Sequence, residues 1–578
     1  MSSWIYHALP RDAAAVLESG IPIHPALAEI LAKKGIYGLD EAECFLNPLL
    51  KHLGDPFLIE KIDVAVDRLI QALDSRERIA ILGDYDVDGV TSTTLLVSIL
   101  RILGADPKYY VPRRLEEGYG LSQAALERVL GEGPFNLFIA LDCGTNSVDE
   151  IKTLRAQGVD VLVIDHHRSK SSAGSDCILV NPHVNDAGES DGVDSPWRVL
   201  CTVGLVFKVC HALLKKLRER GDSTAQNITL REYLDLVAMG TIADLVPLVR
   251  ENRILTSHGL RQLRQSTRKG LIALMEASGI TPGGELRPSD VSFRLGPRIN
   301  ASGRLADALL PVEMLLSDDE ARCAAMAAQL NEMNRERQEI ERQVNEEALA
   351  QLTAADTGQR ALVAYGDWHP GVVGIVAGKL SRHFNRPCIV LGKEGKWAKG
   401  SGRSVAGISL VEALQPCDGI LESWGGHPMA VGVTIAIENV AKLRQLFNDS
   451  VEDILKTGKI PEETIPIAAW IGDMHITDEF LDQIEKFHPF GEGNPEPIFG
   501  ISDITLHMEP IVFGENNYRF QILLDYRRKL GVVAWRKADR LPPTGVSLDL
   551  AVRLGWNYYN GKKYPQAELI DWRLADED

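Results

Sequence analysis

Between residues 78 and 181, short apolar runs alternate with stretches whose apolar residues recur at helical spacing, the pattern of a parallel α/β sheet. The runs Arg78 to Leu82, Phe135 to Leu141 and Val159 to Ile164 each end in an acid-bearing loop. Ligands of such sheets bind outside the carboxyl ends of the strands, so these loops are expected to converge. From about 190 to 350 the pattern is mostly helical. A long helix is expected to begin at Ser317 as N-cap, with Asp318, Asp319 and Glu320 in its first turn. Met326, Leu330, Met333, Ile340 and Val344 follow at spacings of three, four or seven, a stripe that marks a core-facing connector. A second, glycine-rich α/β segment runs from Arg360 to about Leu446. Beyond Pro461 to Pro466, short strands with turn signals such as Asn560-Gly561 predict a small all-β barrel. The expected division is an N-terminal segment (1–65), an α/β core (66–235), a helical connector (236–352), a second α/β domain (353–455) and a β domain (465–578).

A chain of 578 residues that is 45% hydrophobic can bury several cores. Its eight cysteines (Cys44, Cys143, Cys177, Cys201, Cys210, Cys323, Cys388 and Cys417) are scattered without a C-x-x-C pair, which favours a reducing compartment. Met1 to Pro10 lacks a basic stretch followed by an apolar one, and the apolar run near Leu95 is broken by Arg101. No membrane span is expected, and a cytoplasmic location is. The formal charge of -18 argues against a nucleic-acid partner, since phosphates attract basic surfaces. Two segments depart from that average. Lys379 to Arg403 holds seven Lys/Arg and one acid, and Arg519 to Lys563 holds ten and three. Either could equally be a solvated face.

The strongest chemical signal is Gly83-Asp84-Tyr85-Asp86-Val87-Asp88-Gly89, at a strand-to-helix junction. Three carboxylates at alternate positions repel one another, so a divalent cation is their natural partner. An EF-hand calcium loop opens in the same way but needs Glu six residues after its glycine, where Leu95 stands here. Three further features accompany the loop: Asp142 at a strand end, Asp165-His166-His167 at another, and Asp244 closing Gly240-Thr241-Ile242-Ala243-Asp244. Mixed carboxylate and imidazole donors suit manganese or magnesium better than structural zinc.

Together these four segments resemble the motifs of the DHH phosphoesterases. The resemblance implies two Mn2+ or Mg2+ ions about 3.5 to 4 Å apart that activate a water for attack on phosphorus. It implies Asp86, Asp88, Asp142, His166 and Asp244 as ligands, with Asp142 as the bridge. Asp84 is a ligand or a base, and His167 a phosphate contact. Pyrophosphatases of the superfamily carry a histidine four residues before the Asp86 position; Leu82 stands there here.

Four more segments resemble the RecJ branch: Gly296 to Arg304, Gly366 to Gly374, the pair Ser401 to Ser404 and Gly425 to Pro428, and Pro489 to Pro497. They imply Arg298, Asn300, Arg304, His369, Arg403, Ser404, Gly426 and His427 as substrate contacts. Glycine frees backbone N-H groups to cradle phosphate, and arginines fork onto its oxygens. The second α/β segment looks like the DHH-associated domain, which narrows the passage to the metals so that it admits one strand only. The last segment resembles an OB fold, in which Arg519, Arg527, Arg528, Lys529, Arg536 and Lys537 interleave with Tyr518, Phe520, Tyr526, Trp535, Trp556 and Tyr558. Stacking in a basic groove holds single strands in such folds, and half or more of these aromatics are expected in the core. The resemblance implies a monomeric 5′ to 3′ exonuclease on single-stranded DNA that releases mononucleotides, working with single-strand-binding protein and a RecQ-type helicase. Two other readings stay open: a phosphoesterase for nano-RNA or a nucleotide phosphate, and a non-enzymatic DNA-binding scaffold. The added β domain weighs against the first, and the complete set of motif acids against the second.

Overall fold

The computed structural model describes residues 3–10, 12–118, 120–169, 176–184, 195–305, 308–355, 358–457, 464–524, 528–559 and 562–575. Its first sheet contains five parallel strands, β1 (Ile79–Gly83), β2 (Lys108–Tyr110), β3 (Leu137–Leu141), β4 (Asp160–Ile164) and β5 (Ile178–Val180), in the spatial order 2-1-3-4-5. β1 and β3 are buried throughout because helices cover both faces. Alternate residues accordingly enter different cores: Ile79, Ile81, Leu137 and Ile139 on one face, Ala80, Leu82, Phe138 and Ala140 on the other. Connections leave β1 first towards β2 and then back towards β3. A crevice therefore opens between the carboxyl ends of β1 and β3, where loops diverge.

The helices that matter for the site are α1 (Val87–Ile102), α2 (Thr202–Glu219), α3 (Leu234–Ala243), α4 (Arg250–Arg264), α5 (Gly296–Leu305) and α6 (Glu320–Ala355). The long helix begins two residues later than the sequence suggests. Asp319, not Ser317, caps it, accepting from the amide of Arg322 at 2.9 Å, while Ser317 Oγ accepts from the amide of Asp319. At 36 residues, α6 is about 54 Å long. Met326 and Leu330 enter the first core, whereas Val344, Ala348 and Leu352 pack under the second sheet. One helix thus belongs to two cores. That second sheet is mixed, with Leu362–Gly366 parallel to Cys388–Glu394 and the strands Trp397–Arg403, Ala430–Ala436 and Leu421–His427 added antiparallel.

A seven-stranded sheet forms the C-terminal domain, dominated by the pair Ser547–Tyr559 and Lys562–Leu574. The turn expected at Asn560-Gly561 lies outside the described residues. The N-terminal helices share this core: Leu17, Leu27 and Leu31 pack with Phe480, Phe487 and Phe499, and strand Ser3–Ile5 pairs with Thr464–Pro466. Among the described residues no helix is long and apolar enough to cross a membrane.

Candidate metal centre

The loop after β1 is shaped by two close approaches. A Cβ on Gly83 would lie 1.9 Å from Thr93 Oγ1, and one on Gly89 2.2 Å from the carbonyl oxygen of Asp84. Only glycine lets α1 start so tightly against the strand. Asp86 caps α1, accepting from the amide of Gly89 at 3.1 Å. Asp88, buried in the first turn, spends both oxygens on the start of α2: it accepts from the amides of Thr202 at 2.7 Å and Val203 at 2.8 Å. Asp142 follows β3 in the left-handed region (φ 62°), a conformation rare outside glycine and a recurrent mark of functional sites. Its Oδ1 accepts from Thr202 Oγ1 at 2.9 Å. Asp244 closes α3.

His166 joins these acids. Its Nε2 stands 3.5 Å from Asp142 Oδ1, 3.5 Å from Asp244 Oδ2 and 4.0 Å from Asp88 Oδ2. Among the described residues, three groups have ligand atoms within 4.8 Å of one another: Asp84, Asp86 and Asp142; Asp88, His166 and Asp244; and Asp142, His166 and His167. Asp142 and His166 are shared. Burial, then repulsion from Asp86, pushes Asp88 up to about 7. Burial and the neighbouring Asp88 and Asp86 raise Asp244 to about 9, and burial with Asp88 drives Asp142 well above the carboxylate range. The acids cannot all ionise together without added positive charge. Burial, reinforced by His167, lowers His166 to about 4 and keeps it neutral, the form that ligates metal, and its buried Nε2 has no hydrogen-bond partner. These donors fit divalent cations.

His167 behaves differently. Burial pulls its pKa down, but the hydrogen bond to Asp165 outweighs this and raises it to about 9. Asp165, absent from the predicted set, proves central to the loop. It is fully enclosed, lies 2.7 Å from His167 Nδ1, and accepts from the amides of His166 (2.8 Å), His167 (3.1 Å) and Thr145 (3.1 Å). Thr202 was missed as well, since nothing local in Cys201-Thr202-Val203 announces two partners more than fifty residues away in sequence. Leu82, at the pyrophosphatase histidine position, lies in the apolar core.

The candidate substrate residues divide. α5 lies against the metal loops: a Cβ on Gly303 would meet Tyr85 at 2.3 Å, and one on Gly296 would sit 3.6 Å from Ala243 and Val87. Arg304 reaches the second α/β domain, donating 2.8 Å to the carbonyl of Gly371, whose amide donates 3.0 Å to His369 Nδ1. Arg403 approaches Gly374, and Ala430 pairs with both Arg403 and His427, which places them on either side of the strand Ala430–Ala436 at the same level of the sheet. Gly426 is left-handed (φ 147°) where a Cβ would strike the carbonyl of Ala430 at 2.3 Å. Ser404 Oγ donates 2.6 Å to the carbonyl of Ile408. Arg298 turns away to Asn331 Oδ1 (3.0 Å) and the carbonyl of Arg294, and Asn300 Oδ1 is buried without a hydrogen-bond partner.

The C-terminal basic stretch presents less free charge than its count suggests. Arg540 pairs with Asp571, Arg553 with Glu568, and Lys563 with Asp482, all acids outside the stretch. Lys537 donates to the carbonyl of Ile570, and the amide of Arg536 to Asn517. Arg519 and Lys529 are exposed, Arg528 lies on strand Arg528–Ala534, and Arg527 and Tyr526 lie outside the described residues. Tyr518, Phe520 and Trp556 are core, while Trp535 (51%) and Tyr558 (46%) are exposed. On the other basic stretch, Lys379 pairs with Glu341.

Known proteins share this arrangement. The DHH family N-terminal domain matches residues 78–241, the DHHA1 domain 358–453 and the RecJ OB domain 468–571. The single-stranded-DNA-specific exonuclease RecJ of Bacillus subtilis is 34% identical over 585 residues, 99% of this chain and 72% of that one. The protein of that name from Dickeya dadantii is 36% identical over 506 residues, 85% and 86% of the two chains. A crystal structure of RecJ in complex with Mn2+ from Thermus thermophilus superposes with a TM-score of 0.80 at 29% identity, covering 99% of this chain and 79% of that one. Likeness at this identity, along nearly the whole chain and through all three domain types, decides the kinship: this chain belongs to the RecJ family of DHH proteins.

Proposed function

We propose that the protein is a metal-dependent exonuclease that degrades single-stranded DNA from the 5′ end and releases mononucleotides. The observation that carries the reading is the sharing of Asp142 and His166 between neighbouring ligand groups at the β1/β3 crevice. Asp84, Asp86, Asp88, Asp142, His166 and Asp244 would hold two Mn2+ or Mg2+ ions, with Asp142 between them. Such ions supply an activated water and neutralise charge developing on the phosphate. The chain's own residues do the rest. Asp165 holds His167 protonated and oriented as a donor to a phosphate oxygen. Arg304 joins α5 to the second α/β domain, and Arg403, Ser404, Gly426 and His427 gather on that domain's sheet as a cradle for the strand's end. Trp535 and Tyr558 offer faces on which bases can stack.

A small-substrate phosphoesterase has no use for an appended OB domain, and a scaffold has no use for a complete ligand set. The organisation we propose is core, helical connector, DHH-associated domain and OB domain within one cytoplasmic monomer. Single-strand-binding protein and a RecQ-type helicase are the proposed partners. The test uses single-stranded and duplex DNA labelled at either end. Acid-soluble label should appear from 5′-labelled single strands first, vanish with chelator and return with Mn2+. Equal attack on blunt duplex, or undiminished release after thorough chelation, would overturn the proposal.

A further inference from the structure

The loop that carries Asp244 is held from behind by the C-terminal domain. After Asp244 the chain passes through the left-handed Leu245 (φ 57°) to Leu248, whose amide donates 2.7 Å to the carbonyl of Glu492. Glu492 sits in a turn closed by reciprocal backbone bonds of 3.0 and 3.1 Å between Gly491 and Asn494. The turn's glycines are fitted to the loop. A Cβ on Gly491 would come 2.7 Å from Leu248 Cδ1, and one on Gly493, itself at φ 68°, 2.9 Å from Pro247 Cβ. Asn494 is fully buried and donates 2.9 Å to the carbonyl of Phe487 and 2.8 Å to that of Pro489.

The other side of the loop is tied to α4. Asn252, fully buried, donates from Nδ2 to the carbonyl of Pro247 at 3.0 Å and also to that of Val199. Val199 lies just before Thr202, the residue that anchors Asp88 and Asp142. Arg253 beside it is also buried, and donates to the carbonyls of Lys486 (2.8 Å), Phe487 (2.9 Å) and Phe45 (2.8 Å). A closed path therefore runs from the Asp244 loop to Glu492, through Asn494 and Phe487 to Arg253 and Asn252, and back to Pro247 and Val199.

We infer that Asn252 and the Gly491–Asn494 turn are positioning residues of the metal site, so that the C-terminal domain sets metal affinity as well as binding DNA. The inference rests on the reading of Asp88, Asp142 and Asp244 as metal ligands. Simple domain adhesion would affect melting and leave metal affinity alone; positioning moves metal affinity itself. Groups that orient ligands typically change it about 10 to 100-fold when removed.

The experiment uses full-length protein and the variants Asn252→Ala and Gly493→Ala. Mn2+ binding is measured by titration calorimetry, and single-strand binding and melting are measured in chelator. We expect Mn2+ affinity to fall about tenfold or more in both variants, with DNA affinity in chelator unchanged. Should Asn252→Ala not fold, Gly493→Ala decides, since it strains the turn without opening a cavity at α4. Folded variants that bind Mn2+ like the parent overturn the inference, and so does a loss confined to DNA affinity or melting. A parent protein that binds no Mn2+ would instead overturn the metal reading on which the inference stands.

Discussion

At Thr202 a single residue serves two of the clustered acids, its amide donating to Asp88 and its hydroxyl to Asp142. Thr202→Val keeps the shape and the amide but removes the hydroxyl from a buried carboxylate. The Mn2+ concentration for half-maximal hydrolysis should rise about 10 to 100-fold, and Thr202→Ser should restore it. Metal titrations of the three proteins check this. Asp165 acts through the backbone: three amides and the His167 ring converge on its carboxylate. Asp165→Ala leaves the three amides without their acceptor at about 1 to 3 kcal/mol each, so denaturant melts should show a loss of at least about 3 kcal/mol. Asp165 stands inside a legible motif and Thr202 in none, and the partners of both are legible only in three dimensions.

Helix α6 has its two ends in different cores. Its apolar stripe was readable because helical spacing is a local property; that the stripe changes partners midway was not. Arg335 lies exposed on this helix between Leu330 and Val344. Arg335→Pro should cost about 3 kcal/mol or more and bend the connection between the metal site and the second α/β domain. Hydrolysis should collapse while Mn2+ binding survives, whereas Arg335→Ala should leave both within about twofold, since exposed surface changes stay within about 0.5 kcal/mol. Activity and calorimetry on the pair distinguish a bent connector from a lost side chain.

For the whole molecule, chain order misleads about which pieces stand together. The N-terminal helices share a core with the C-terminal sheet. A chain cut near Pro461 should therefore expose the faces of Leu17, Leu27 and Leu31 and aggregate, which light scattering during refolding would reveal. Point changes are the better probe of DNA binding. If Arg519 and Lys529 each meet a phosphate, replacing both by Ala should flatten the log-log salt slope of single-strand binding by about 1.4, at about 0.7 per contact. An unchanged slope would assign that face to something other than DNA.

Strand runs, the acid and histidine motifs and the four-segment RecJ signature are all set by residues close in sequence, and so the sequence by itself determined the fold class, the metal chemistry and the family. Tertiary structure decided what depends on distant partners. The basic count at the C-terminus was offset by Asp482, Glu568 and Asp571 from outside the counted stretch. Asp319 took the capping role from Ser317 because helix geometry, not composition, selects which side chain reaches the amide of Arg322. The anchoring of Asp88 and Asp142 on Thr202, and of the Asp244 loop on Asn252 and Glu492, likewise exists only once strands and helices have packed. A hydrogen bond between residues far apart in the chain leaves no local period to read.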